Sequence, residues 1–271
     1  MLKTNRLAAV VLILFMGGIS TGNAQEDWVS YVVKKNDAFM SLTTDLQYTY
    51  AKPVYRNLLI VGTETDKCHK NGFPTEEGLE ELYTFSDSVA YKLDGLVKNK
   101  LVGIVTYKCS GLDIFYVKDT INLRDDLNDL LSANFSNRSN HLYIKDDKKW
   151  EYYKNIYPQN LEDDYFMDNE FLIQLLYEGD DLSKERNVKH WVYFNNVKKR
   201  DKFIEDVKKL DFAIDSVLYN KERHYPYELQ ISRKDSIPPQ HITNITKTLK
   251  LLSNSYRAEY EGWGTETVKE E

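Results

Sequence analysis

The chain has 271 residues, 42% of them hydrophobic, with 36 Lys and Arg against 42 Asp and Glu and a formal net charge of -6. That mixture, with 20 Tyr, belongs to a globular protein and excludes disorder as the state of either half, while the length favours two domains over one. Phosphate recognition needs Lys and Arg concentrated on one face. In "KKNDAF", "VKKRDKF" and "DVKKLD" the basic residues interleave with acids, as on solvated helix faces, so nucleic acid is not expected as a partner.

Lys3 and Arg6 precede the apolar run "LAAVVLILFMGG", and small residues ending in "GNA" follow it. This is the order of a secretory signal peptide, so residues 1–24 are expected to be removed after Ala24 and the protein to be periplasmic or extracellular. The run falls short of the roughly 20 apolar residues that span a bilayer, which leaves an uncleaved anchor as the alternative. No Cys stands at the cleavage point to suggest a lipid anchor, and no later segment is long and apolar enough for a membrane span.

Alternation in "WVSYVVK" predicts a strand with Val29, Tyr31 and Val33 on one side, and "LQYTY" a second one ending before Pro53. The continuous apolar run "NLLIVGT" predicts a strand buried on both faces. Thr75 is placed to cap a long helix with Glu76 and Glu77 in its first turn and Leu79, Leu82, Tyr83, Val89, Leu93 and Leu96 inward. "LVGIVTYKC" and "LDIFYVKD" read as a hairpin turning around Ser110 and Gly111. A shorter helix presents Leu123, Leu127, Leu130 and Leu131, and "HLYIK" is a strand. From Asn57 onward the order is strand, helix, strand, strand, helix, strand, a ferredoxin-like α+β unit.

"WEYYKNIYP" stands where a linker belongs but is too aromatic for a flexible tether, and is expected to pack on the first domain. After it, a helix from about Asp164 carries Phe171, Leu172, Leu175 and Leu176, with Gly179 at its C-cap. Strand "VKHWVYF", a helix with Phe203, Val207 and Leu210 inward, strands "DFAIDSVLY" and "YELQIS", a Pro-initiated helix burying Ile242, Ile245, Leu249 and Leu252, and the strand "AEYEGW" repeat the same order. The expected organisation is therefore an N-terminal α+β domain over 25–160, a C-terminal ferredoxin-like domain over 161–265, both with antiparallel sheets, and a disordered tail over 266–271. Tyr260 and Trp263 anchor the last strand, with Gly262 giving a bulge.

"EGDDLSKERNVKHWVYF" and the terminal "YEGWG" resemble the regulator of ribonuclease activity B family, and "NGFPTEEGLEELY" with "WEYYKNIYP" resembles the family called domain of unknown function 695. The first resemblance implies a ferredoxin-like fold and inhibition of a cytoplasmic RNA-degrading endonuclease by direct binding. An export signal conflicts with that compartment, so the implied role becomes a non-catalytic protein-binding module elsewhere, or a ribonuclease-regulator-like inhibitor if the chain stays inside. Neither family supplies established catalytic residues.

Direct inspection for chemistry yields no catalytic, cofactor-binding or metal-binding set. His69, His141, His190, His224 and His241 lack metal-ligand spacing, and His190 reads as a packed or hydrogen-bonded histidine. No G-x-S-x-G turn or phosphate-cradling Gly-rich loop is present. Paired acids such as Asp163 with Asp164 and Asp180 with Asp181 fall at helix ends, where Asp caps. A hydrolase with carboxylates in a cleft between the domains leaves no linear motif and stays as the alternative class. Cys68 and Cys109 stand on strand ends separated by a third strand, too far for direct bridging; a disulfide is expected if the loop from Glu64 to Gly72 folds across the gap. Trp150, Tyr153, Tyr157, Tyr260 and Trp263 are the aromatic candidates for a partner surface, with packing as the competing role of each.

Overall fold

The computed structural model describes residues 27–48 and 52–269; the leader expected over 1–24 lies outside them. Strands β1 (Trp28–Lys35) and β2 (Ala38–Asp45) form a hairpin. Then follow β3 (Asn57–Glu64), α1 (Glu76–Leu96), β4 (Asn99–Tyr107), β5 (Ser110–Val117), α2 (Leu123–Asn134) and β6 (Asn140–Asp146). A short helix α3 (Glu151–Ile156) leads to α4 (Asp163–Tyr177), and the second half continues with β7 (Arg186–Phe194), α5 (Val197–Lys208), β8 (Ala213–Tyr219), β9 (Tyr227–Asp235), α6 (Pro239–Ser255) and β10 (Glu259–Gly264).

Two separate antiparallel sheets result, one ordered β1-β2-β4-β5-β3-β6 and the other β10-β7-β9-β8. The expected α+β class with antiparallel sheets is what the chain forms. Removing the β1-β2 hairpin from the first sheet leaves β6-β3-β5-β4, which in each unit's own count is the order fourth, first, third, second, the same as in the second sheet.

Period-two alternation sorts the first sheet into two buried faces. Leu59, Val61, Phe115 and Val117 pack under α1 and α2 against Phe85, Val89, Leu93, Leu127 and Leu131. Leu58, Val102, Ile114 and Tyr116 face the other way and are covered by Trp150, Tyr153 and Ile156, which explains the uninterrupted apolar run in β3. In the second half Val188, Val192, Leu229 and Ile231 pack beneath Leu172, Leu176, Phe203, Ile242 and Leu249. Val32, Phe39 and Phe73 from the first half belong to that same core, so the two halves share buried apolar surface as well as chain.

Local signals decide several ends. Thr75 accepts a hydrogen bond from the Gly78 amide at the start of α1. Gly179, at φ +87, closes α4 with its own amide on Leu176 O and the Asp180 amide on Leu175 O, the left-handed termination that glycine permits. Gly262, at φ +146, lies at the register shift between Tyr260 and Gly262, the bulge expected of it.

Other expectations are corrected. "KKNDAF" is not a helix face; it holds the β1-β2 turn, with Asn36 at φ 55. Strand β2 therefore precedes "LQYTY", whose Leu46 and Gln47 form a turn and whose last two residues lie outside the described ones. The β4-β5 hairpin turns at Lys108 and Cys109, both at positive φ (48 and 62), two residues before the expected Ser110 and Gly111; two positive-φ residues are what a tight two-residue hairpin turn needs to match strand twist. Phe85 is the buried aromatic of α1, whereas Tyr83 is 61% exposed. Leu96 and Leu210 also face solvent, since each lies at or beyond the end of its helix. Finally, the tail is not free as far as Lys269: the Val268 amide donates to Asp180 Oδ2 at 2.7 Å, and the Asp181 amide to Val268 O at 2.8 Å. Main-chain pairing holds these residues against the loop after α4.

Candidate functional site

The aromatic candidates divide by burial. Trp150 is fully buried, its indole stacked on Tyr116 with centroids 4.0 Å apart and its Nε1 donating to Tyr55 O at 2.7 Å. Tyr153 is buried beside it and donates to Asp45 O at 2.6 Å. Neither ring reaches solvent, so neither serves a partner surface; both close the second face of the first sheet. The residue that seats them is Asp147. Its carboxylate accepts from the Glu151 and Tyr152 amides at 2.9 and 3.0 Å and from the Tyr116 hydroxyl at 2.6 Å. Burial alone would raise its pKa, but those hydrogen bonds hold it below the ordinary value. Nothing in the linear sequence distinguishes Asp147 from the other aspartates around it.

Tyr260 and Trp263 are half-buried on the helix-covered face of the second sheet, opposite Val192 and His190. Trp263 donates from Nε1 to Asp168 Oδ1 at 2.7 Å, and Thr246 donates to Asp168 Oδ2 at 2.7 Å. The Tyr260 hydroxyl lies 2.9 Å from His190 Nδ1. Burial raises the Asp168 pKa, partly offset by those two hydrogen bonds, and burial pushes His190 down to about 3. These groups form a polar inlay in an apolar core, with the His190 imidazole neutral at physiological pH. His190 is fully buried, and its Nε2 has no hydrogen-bond partner among the described residues.

Among the described residues no helix covers the opposite face of the second sheet. Alternation along β7 directs Asn187, Lys189, Trp191 and Tyr193 to it. Trp191 is paired with Gly262 on one side and Gln230 on the other. Its ring spreads over β10, where a Cβ on Gly264 would lie 3.3 Å from the indole. The Arg223 guanidinium stands 4.3 Å from the Tyr193 ring centroid, covering that ring and pairing with Glu261 at 3.5 Å. The result is a sheet face with the half-buried Trp191 at its centre, Tyr193 buried beneath Arg223 beside it, and charged edges. Gly262 was legible as a bulge; that Gly264 makes room for Trp191 was not, because cross-strand neighbours are set by register.

A cleft of about 430 Å³ lies where the halves meet, and Tyr157, Tyr31 and Tyr165 line it together with Asn155, Gln159 and Gln240. Its lining among the described residues contains Lys35 but no Asp or Glu, so paired-carboxylate chemistry has no seat there. Cys68 and Cys109 are joined by a disulfide with Cα atoms 5.9 Å apart. The loop after β3 does fold across: the Thr65 amide donates to Cys109 O at 2.9 Å and the Cys109 amide to Gly72 O at 2.7 Å.

Residues 167–265 match the family Regulator of ribonuclease activity B. Residues 26–157 match the Family of unknown function (DUF695). The regulator-family segment thus holds all four strands of the second sheet, and the DUF695 segment holds the whole of the first sheet with its covering helix α3. No curated protein matches the chain. A solved structure of a proposed glycine cleavage system transcriptional repressor aligns at 10% identity over 78% of this chain and 98% of its own, with a TM-score of 0.25. An unknown protein from Galdieria sulphuraria aligns at 9% identity over 79% and 98%, with a TM-score of 0.20. Among the described residues no helix is long and apolar enough to cross a membrane.

Proposed function

We propose that this protein is an exported, non-catalytic regulatory module that binds another protein through the uncovered face of its second sheet. Both βαββαβ units are read as ferredoxin-like, a reading supported by their common strand order. The observation that carries the binding role is the half-buried Trp191 at the centre of an uncovered face, flanked by the Arg223–Tyr193 pair, within a segment matching a regulator family. Trp, Tyr and Arg are the side chains that dominate protein-binding hot spots. Export is supported by the charged, apolar and small-residue order of residues 1–24.

The test places a photo-crosslinking amino acid at position 191 and, as a control, at the exposed Tyr83 on α1, in cells that make the native full-length protein. A discrete adduct from 191 but not from 83, lost when Arg223→Glu is added, supports the reading. Equal adducts from both positions, or none from 191, refute it. Recovery of the adduct from the cytoplasmic fraction refutes export.

A further inference from the structure

We infer that the Cys68–Cys109 disulfide is a redox-sensitive latch on the joint between the two halves. The loop it ties down is also the one that reaches the second half. Asn71 Nδ2 donates to Leu176 O at 2.8 Å and to Asp180 O at 2.9 Å, so a side chain of the first half adds to the Gly179 amide already on the last turn of α4 and ties down the loop that follows it. Phe73, fully buried, sits in the second half's core and meets Tyr177 edge-on with centroids 5.2 Å apart. His69 lies so close to Gly179 that a Cβ there would come within 3.0 Å of the imidazole.

The loop's shape is fixed from inside by few bonds. The Phe73 amide donates to Asn71 Oδ1 at 2.9 Å, the His69 amide to Phe73 O at 2.8 Å, and Cys68 bridges Pro74. Two more main-chain bonds lie within it, the Gly72 amide to His69 O at 3.0 Å and the Thr75 amide to Lys67 O at 2.9 Å; the other ties run to Cys109, and from Thr65 and Lys67 to Glu77 and Glu81 on α1. Cys109 itself is held at φ 62, a conformation that residues with a Cβ adopt at a cost. The covalent bond thus holds together two strained or irregular segments, and one of them carries Asn71 and Phe73 into the neighbouring half. Both cysteines are only half-buried, so a reductant has access.

A dithiol reductant attacks one sulfur as thiolate and releases the other as a thiol. Its second thiol then displaces the first protein sulfur, leaving two cysteine thiols here and a cyclic disulfide on the reductant. In the reduced protein residues 65–75 lose their covalent tie to the hairpin and keep only the Thr65 and Gly72 main-chain bonds to Cys109, and the contacts of Asn71 and Phe73 to α4 open more often. The sheets themselves keep their hydrogen bonds.

Amide hydrogen exchange on the full chain, oxidised and after dithiothreitol, tests this. The expected result is exchange at least tenfold faster after reduction across 65–75 and 176–181, with β7 and β9 unchanged, and the same pattern in the Cys68→Ser/Cys109→Ser double variant without reductant. Asn71→Ala with the disulfide intact should accelerate 176–181 and the Phe73 amide that Asn71 Oδ1 holds, leaving the rest of 65–75 unchanged. Unchanged exchange in both segments after reduction overturns the latch, as does uniform acceleration of every strand, which would make the bond a staple of the whole fold.

Discussion

Replacing Asp113 by Asn tests the electrostatics of the first core most sharply. Asp113 points from β5 toward α1, on the face shared with Phe115 and Val117, and is 3% exposed. Desolvation lifts its pKa from 3.8 to about 6, a hydrogen bond from Ser86 opposes that, and Asp87 adds to it; Oδ2 has no partner among the described residues. A carboxyl whose pKa is raised on folding prefers to be neutral in the native state. Its penalty is therefore absent below the unfolded value and fully present above the folded one. That penalty is ~3 kcal/mol at pH 7.5 and about 0.5 kcal/mol at pH 4. Asn cannot ionise, so whatever packing or hydrogen-bond cost the amide brings is the same at both pH values. Urea unfolding followed by Trp fluorescence at pH 4 and pH 7.5 should show the variant gaining ~2–3 kcal/mol relative to the parent between them. A stability difference between the two proteins that does not move with pH would show that Asp113 is not desolvated and would refute the reasoning.

Three further outcomes follow from the same contacts. Trp150→Ala should cost about 3–5 kcal/mol, as large aromatic truncations in cores do, and Trp150→Phe distinctly less, both read from urea midpoints; an exposed ring would show under 0.5 kcal/mol. Because His190 is neutral when folded, with its pKa near 3 against 6.5 for the free side chain, stability is intact above pH 6.5 and falls as pH drops toward 3. The loss at pH 4.5 is ~3 kcal/mol, and His190→Gln should flatten that acid limb in a denaturation series. Opening the disulfide, whose cysteines lie 41 residues apart within the first half, should lower the stability of that half by ~4 kcal/mol on loop-closure entropy, read from amide exchange of β3 and β5 in the oxidised protein against the double Ser variant.

Much of the fold was legible because short-range physics wrote it. The Thr75 cap, the glycine after α4, the proline opening α6 and the 3.6-residue spacing of Leu123, Leu127 and Leu131 depend on neighbours a turn away, and each stands where it was expected. Errors came where two local signals competed. The Asn-Asp turn in "KKNDAF" was hidden by surrounding lysines. Tyr83 and Phe85 lie two positions apart on a helix with polar residues at several boundaries, so periodicity alone admitted either as the inward ring. The candidate site was less legible still. No linear signal marks Trp191 or Arg223, and of the two roles open to Trp150 and Tyr153, partner contact or packing, their burial selects packing.

The sequence by itself determined the element order, the helix caps, the α+β class and the repeated βαββαβ pattern, since those follow from the periodicity and turn chemistry of contiguous residues. Only the tertiary structure decided which aromatic rings face water, that Asn71 and Phe73 of one half complete the other, and that a loop closes over Cys109. Those outcomes depend on which distant segments are neighbours. Neighbourhood is fixed by strand order and register, which minimise exposed apolar surface and unpaired backbone across the whole chain at once.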